Sequence, residues 1–386
     1  MALREPALRV GFFTECYRPI VNGVVASVDA LADGLRERRH QVYCFAPRVP
    51  GYAEQPGPVF RMPSLPLPLG RPYRLTLPLV SRKNLNGVIR RLSIIHAHSP
   101  FITGWMGIWY ARRFGIPLVY TYHTQLEQYA HYVPLDAKAI RKAASSLTRT
   151  YANAADAVVV PTAAMGDRLR ELGVRSRIEV APTGIDLDAF AGGRRRSEVR
   201  ASLGAVADEP LALTVCRLGR EKNIELMIDA LAAGDSSVRL AVVGEGPSRA
   251  ELERHAVRRG VFDRVRFVGY LDRAALPDVY ASADAFLFSS VTETQGIVLA
   301  EALAAGCRII AVDTPQTSEV LGSAATYVTN EAASMARALS SLIATPSAEM
   351  RERSREAARR FGRDLQIERI VGLYGDLLAR QPMRSA

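Results

Sequence analysis

Short apolar runs alternate with amphipathic stretches along almost the whole chain, and that alternation restricts its folds more than any single residue does. Strand-length runs lie at 8–14, 41–46, 93–98, 118–122, 157–161 and 178–181, with helix-periodic stretches at 24–38, 103–114, 137–153 and 163–172. A second series follows, with runs at 211–216, 238–243, 265–267, 285–288 and 308–312 and helices at 222–233, 247–259, 274–281 and 296–305. Runs that are apolar on both faces require cover on both sides, so the pattern predicts an α/β fold with two parallel sheets wrapped by helices. A chain of 386 residues is long enough for two separate cores.

The turn Pro182-Thr183-Gly184-Ile185-Asp186 closes the first series, and the polar run Ala191-Gly192-Gly193-Arg194-Arg195-Arg196 follows it. The expected division is a first domain over 1–190, a hinge linker within 182–200, and a second domain over 191–363. A last helix, in 364–386, carries Leu365, Ile367, Ile370, Val371, Leu373, Tyr374 and Leu377, and is expected to pack back on the first domain. Cys16, Cys44, Cys216 and Cys307 are scattered, with no CxxC and no neighbouring histidine cluster, which suits reduced thiols and excludes a zinc or disulfide framework. No run of 18 apolar residues is present, and the first residues show no signal-peptide core, so a cytoplasmic protein is expected.

The net charge of +11 is uneven: residues 1–190 hold 24 Lys+Arg against 14 Asp+Glu, leaving 26 against 25 for the rest. An anionic surface met by the first half explains this, as does a merely solvated arginine-rich face. The motifs of nucleic-acid readers are absent. Residues 56–78 hold seven prolines among leucines and Arg61, Arg71 and Arg74, which rules out a helix or a central strand there. Such a loop fits either a lipid boundary or packing on its own domain.

Two carboxylates stand eight positions apart in Glu293-Thr294-Gln295-Gly296-Ile297-Val298-Leu299-Ala300-Glu301, around a glycine that opens an apolar helix. The helix start offers unbonded amides and a partial positive charge, which suit a phosphate. Glu293 just outside it is placed for sugar hydroxyls. Glu301 inside it needs a hydrogen-bonding partner, either a ligand or an arginine. Arg217 and Lys222 follow the strand at 211–216 and would neutralise a diphosphate; salt bridges to Glu221 or Glu225 are the alternative. Gly23 opens the first helix, where a backbone can approach a phosphate closely. In Gly244-Glu245-Gly246-Pro247, the proline breaks the dinucleotide fingerprint, so a nicotinamide site is not expected. His123 ends its strand at the ligand-facing edge; His98 and His131 read as structural. No catalytic triad and no metal-ligand cluster is visible.

Together, Glu293, Glu301, Arg217, Lys222, Gly246-Pro247, Pro182-Thr183-Gly184-Ile185-Asp186 and His123 resemble the pattern of a retaining glycosyltransferase of the glycosyltransferase 4 family, over roughly residues 8–380. Asn22-Gly23-Val24-Val25, Tyr73-Arg74-Leu75, Tyr120-Thr121-Tyr122-His123-Thr124, His131-Tyr132-Val133-Pro134 and Thr292-Glu293-Thr294-Gln295-Gly296 are similar to bacterial diacylglycerol glucosyltransferases. Phosphatidylinositol mannosyltransferases and sulfoquinovosyl transferases are related. The resemblance implies a GT-B fold, with two Rossmann-like domains facing across a cleft. It implies metal-independent transfer, without a cofactor, from a nucleoside-diphosphate sugar with retention at the anomeric carbon.

Carried over by position, Arg217 and Lys222 hold the diphosphate, and Gly23 approaches it. Glu301 takes the ribose, and Glu293 takes the sugar with Thr294, Gln295, Gly296 and Ile297. Gly246, Gly269 and Tyr270 border the nucleotide, and His123 steadies the transition state. Arg71, Arg74, Lys138, Arg141 and Lys142 are expected on the acceptor and membrane side. Thr314-Pro315-Gln316-Thr317-Ser318-Glu319 stands where the family has Gly-Gly-x-Pro-Glu, and no sugar contact is expected there. The expectation is a hexose, glucose from UDP-glucose, moved to a diacylglycerol-type lipid by an enzyme peripheral on the inner face of the cell membrane. Rival readings are mannose from GDP-mannose, a phosphatidylinositol or soluble acceptor, a sugar-nucleotide epimerase, and a basic nucleic-acid-binding module.

Overall fold

In the computed structural model, residues 7–53, 57–67, 73–78, 82–128, 136–205, 209–345 and 348–380 are described. Arg71 and the segment 131–134 lie outside them. The chain forms two compact units, one of residues 1–184 with 363–386, the other of 185–362.

The first unit contains β1 (Arg9–Phe13), β2 (Gln41–Pro47), β3 (Val59–Met62), β4 (Ser64–Pro66), β5 (Arg74–Thr76), β6 (Ile94–Ala97), β7 (Leu118–Thr121), β8 (Ala157–Val160) and β9 (Arg177–Val180). Seven of these form a parallel sheet in the order β3-β2-β1-β6-β7-β8-β9, and β4 pairs antiparallel with β5. Side chains alternate between faces with period two. Val10 and Phe12 pack with Val28, Leu31 and Leu35 of the helix Gly23–Glu37 and with Ile367, Ile370 and Tyr374 of the last helix, Arg363–Ala379. Phe13 and Ile95 instead join Ile108 and Tyr110 of the helix Ile102–Phe114.

The proline-rich segment holds an edge strand, β3, and the β4–β5 pair. Pro58 lies before β3 and Pro63 after it, so no proline removes a ladder donor from β3, while Pro66 ends β4. Arg74, expected at a lipid headgroup, is a local tie: its Nε donates to Ser64 Oγ at 2.8 Å and its Nη2 to Ser64 O at 2.9 Å. Arg61 donates to the carbonyls of Pro47 and Arg18.

The second unit contains β10 (Leu211–Val215), β11 (Arg239–Val243), β12 (Val265–Gly269), β13 (Ala285–Phe288), β14 (Ile309–Val312) and β15 (Ala325–Val328). They form a parallel sheet in the order β12-β11-β10-β13-β14-β15. The chain divides between Gly184 and Ile185, inside the expected hinge at 182–200, and the rest of that stretch is built into this unit through the helices Leu187–Ala191 and Ser197–Ser202. Phe190 is buried in its core, and Arg200 is buried with its Nη1 on Ser282 O at 2.7 Å and Asp284 at 3.1 Å. A polar run is not a linker when its cations find buried acceptors. The strand β15 and the helices Pro315–Leu321, Ala332–Ala344 and Ala348–Ala358 lie beyond the alternation read in the sequence.

Each sheet has a reversal of strand order, between β1 and β6 and between β10 and β13. Open parallel sheets bind ligands outside the carboxyl ends of their strands at such points.

Candidate active site

In the second unit, the loops after β10 and β13 meet at the switch point. Ser289, immediately after β13, donates its Oγ to the carbonyls of Lys222 and Asn223, each at 2.8 Å. Ser290 donates to Glu221 O at 3.1 Å. Asn223 takes a left-handed conformation (φ 52°) that starts the helix Ile224–Ala233 and turns the chain sharply after Lys222. The result is an ion pair between Lys222 Nζ and Glu293 Oε1, with each side chain 18% exposed. Arg217 Nη1 donates to Glu221 Oε1 at 3.0 Å, and the Glu221 carboxylate lies against the Gly219 backbone, leaving no room for a Cβ there. The salt bridge to Glu221 read as the alternative for Arg217 is present in this structure.

The helix Ile297–Ala304 starts at Gly296, which has φ 76° and no side-chain cap on its first turn. It is buried from Leu299 to Ala304. Glu301 is 3% exposed; Tyr280 OH donates to its Oε2 at 3.0 Å, and Arg273 Nη2 pairs with its Oε1 at 3.0 Å. Burial pushes this carboxyl above the ordinary range, against the pull of Arg273 and Tyr280. Glu301 is thus held by Arg273 and Tyr280.

A carboxyl with a raised pKa gains proton affinity on folding, so its contribution to stability is greatest at acid pH and declines as pH rises past the unfolded value. Glu301→Gln keeps the Tyr280 hydrogen bond and removes the buried charge, so its melting temperature at pH 8 should match or exceed the parent's. Glu301→Ala leaves Tyr280 without an acceptor and opens a cavity, so it should lose about 2–4 kcal/mol in denaturant titration. A larger loss in the Gln variant would show that the carboxylate charge itself stabilises the fold.

Gly246 and Gly269 hold neighbouring loops. A Cβ on Gly246 would lie in the Leu218 backbone, and Gly244 N donates to Gly269 O at 2.8 Å. Leu218 N donates to Glu245 O at 3.0 Å, so the turns after β10, β11 and β12 form one scaffold. Tyr270, next in line, is 53% exposed. Thr294, Gln295 and Ile297 flank Gly296, with Gln295 buried. Thr314 and Thr317 form a capping box for the helix Pro315–Leu321, a role that needs no ligand.

In the first unit, Asn22 caps the helix opened by Gly23, accepting from Val25 N at 2.9 Å. His123 Nε2 lies 3.1 Å from His98 Nδ1, within hydrogen-bond distance. The His98 ring stacks on His96 with centroids 4.3 Å apart. His96 bonds Tyr374 OH and Thr121 Oγ1, each at 2.6 Å. Burial lowers all three imidazoles, His96 to about 3, His123 to about 4 and His98 well below its usual value, with neighbouring histidines adding repulsion at His96 and His98. His123 is therefore a neutral ring at pH 7. The sequence reading assigned no role to Glu15, which is buried and accepts from Thr76 N at 2.5 Å and from Thr103 N and Oγ1 at 2.8 Å. Glu15 ties β5 to the helix Ile102–Phe114. Only its polarity beside a buried strand marked it.

Lys138, Arg141 and Lys142 are exposed on the helix Ala137–Ala152, with no described carboxylate partner. Among the described residues, no helix is long and apolar enough to cross a membrane, and no three His, Cys, Asp or Glu are grouped to hold a metal ion.

Residues 21–189 match the family model of Glycosyltransferase Family 4, and 195–361 that of Glycosyl transferases group 1. An alpha-monoglucosyldiacylglycerol synthase of Streptococcus pneumoniae is 31% identical over 81% of this chain and 73% of its own length. A GDP-mannose-dependent alpha-mannosyltransferase of Mycolicibacterium smegmatis is 29% identical over 98% of this chain and 100% of its own. Among solved structures, Anabaena HepE in complex with UDP and glucose superposes with TM-score 0.76 at 19% identity, covering 96% of this chain and 100% of that one. Sucrose-phosphate synthase from Thermosynechococcus elongatus gives 0.79 at 22%, covering 97% and 100%. These two likenesses speak for the fold, two Rossmann-like units of the GT-B type. With both family models matched across most of its length, the chain belongs to the glycosyltransferase 4 family and is a sugar-transferring enzyme, a hexosyltransferase.

Proposed function

We propose that this enzyme transfers glucose from UDP-glucose to a diacylglycerol-type membrane lipid, with retention at the anomeric carbon and without a metal. The observation that carries the donor half of this reading is the Lys222–Glu293 pair at the β10/β13 switch point, together with the uncapped helix start at Gly296. A diphosphate needs positive charge, and Lys222 with the helix amides supplies it. When a diphosphate engages Lys222, the Glu293 carboxylate is released to accept from hexose hydroxyls, so the pair holds each partner in place for its ligand. Arg217 adds a second cation in the same loop. Charge stabilisation of the leaving group then drives the reaction. The departing phosphate oxygen takes the acceptor's proton, and a neutral His123 hydrogen-bonds the reacting sugar without acting as a strong base.

The lipid acceptor is supported by the synthase relatives, whose names specify a monoglucosyldiacylglycerol product, and by the exposed cations of the helix Ala137–Ala152. Each such cation contributes about 1 kcal/mol at an anionic leaflet. The mannosyltransferase relative favours a second reading, with GDP-mannose as donor.

Incubation with labelled UDP-glucose or GDP-mannose and mixed diacyl lipids, with and without EDTA, tests both. Labelled glucose in the organic phase, unaffected by EDTA, is the expected result. Mannose there instead establishes the second donor. Label confined to water, or donor converted with no acceptor present, overturns the lipid-transfer reading.

A further inference from the structure

We infer that the helix Ile102–Phe114 of the first unit docks in the plane of an anionic lipid bilayer through an aromatic stripe of Phe101, Trp105 and Trp109. The inference rests on the lipid-acceptor reading and adds where the membrane is met. These residues are 42%, 38% and 45% exposed and stand four apart, so they share one helix face. The opposite face is locked to the sheet. A Cβ on Gly104 would collide with Ser99 O, and Gly107 lies against Phe13 and Ile95. The helix cannot rotate to bury its tryptophans without losing that contact. Scattered exposed hydrophobics need no explanation, but three bulky aromatics in one line do.

The charges around the stripe select the partner. Arg113 lies 5.2 Å over the Trp109 ring, and Arg90 5.1 Å over Phe114. No described carboxylate pairs with Arg90, Arg91, Arg112 or Arg113. Trp105 meets the neighbouring basic helix edge-on through Tyr151, with centroids 5.4 Å apart. Tryptophans flanked by unpaired arginines match the boundary between acyl chains and phosphate headgroups, where indole rings settle and guanidinium groups bond phosphate. The stripe starts at Phe101, just past β6 at the carboxyl edge of the sheet, and runs away from it for about 12 Å. A bilayer seated on it therefore meets the unit beside the edge that carries His98 and His123.

Trp105 and Trp109 are the chain's two tryptophans, so intrinsic fluorescence reports the stripe alone. With phosphatidylglycerol-containing vesicles, emission should shift to the blue and be quenched by acyl-brominated lipid, whereas phosphatidylcholine vesicles should give little change. Trp109→Gln should weaken vesicle binding by about tenfold or more. Arg112→Gln/Arg113→Gln should weaken it by about tenfold or more, and its residual binding should be less salt-sensitive. Both variants should keep their transfer rate in detergent–lipid micelles, which shows that they are folded. Vesicle binding with unshifted emission, or self-association in place of vesicle binding, overturns the docking face. If the parent glucosylates lipid in micelles yet ignores vesicles, the face is wrong and the acceptor reading stands. If emission shifts on vesicles but micellar lipid is never glucosylated, the face stands and the acceptor reading falls.

Discussion

Lys222→Ala should lower kcat by about 10²- to 10³-fold while the protein stays folded, because it removes a positioned cation from where charge develops on the leaving group. The substitution also leaves Glu293, 18% exposed in its side chain, without its lysine. Loss of that charge-assisted contact should cost about 1–3 kcal/mol of stability. Initial rates at saturating donor and thermal melting followed by circular dichroism separate the two effects. Lys222→Ala/Glu293→Gln should recover the stability and none of the rate. Lys222→Arg should recover little rate, because a planar fork does not reproduce a compact ammonium held by the turn at Asn223. A Lys222→Ala rate within twofold of the parent would remove the basis for placing the diphosphate here.

Acid should destabilise the first unit steeply, through the buried imidazoles of His96 and His98 and the half-buried one of His123, all held uncharged. His96, His98 and His123 all have folded pKa values well below the usual histidine value. Below about pH 6.5 the unfolded chain takes up protons at these positions and the folded chain does not. Their contribution is therefore complete above that pH and is lost as pH falls towards the folded values. Each contributes about 1.4 kcal/mol per pH unit in that window, so together they remove about 4 kcal/mol per unit. Against a typical total of about 5–15 kcal/mol, unfolding should begin near pH 5. Tryptophan emission follows this unit specifically, since both tryptophans lie within it. Urea titrations between pH 7 and 5 should show the slope, and His98→Asn should lower it by about a third. A stability that does not change over that range would mean these rings are hydrated in solution. The same neutrality bears on mechanism, because it makes His123 a hydrogen-bonding ring instead of a cation at physiological pH.

The two sheets were legible because strands covered on both faces are apolar at nearly every position, as in Val10, Phe12 and Phe13. The β15 strand was not, since Ala325, Thr326 and Tyr327 are half-buried at a sheet edge and carry no such run. The arginine-rich segment after Ala191 misled in the opposite direction. Read alone, Arg195 and Arg200 look unpaired, yet Asp284 binds both 80 and more positions away, and Arg200 is buried. Local composition carries no information about such distant acceptors.

For the site, sequence alone marked Arg217, Lys222, Glu293 and Glu301, because charged residues beside apolar strands and inside an apolar helix are costly without partners. Spacing also told that Gly296 opens a helix. Tertiary structure decided which partner each charge has: Glu221 for Arg217, Glu293 for Lys222, and Arg273 with Tyr280 for Glu301. It likewise brought His98 to His123 and left Trp105 and Trp109 uncovered on a helix that composition would have buried. The reason is physical. Hydrophobic periodicity is a local property that survives translation into strands and helices, whereas pairing and exposure depend on which surfaces the sheet order brings together.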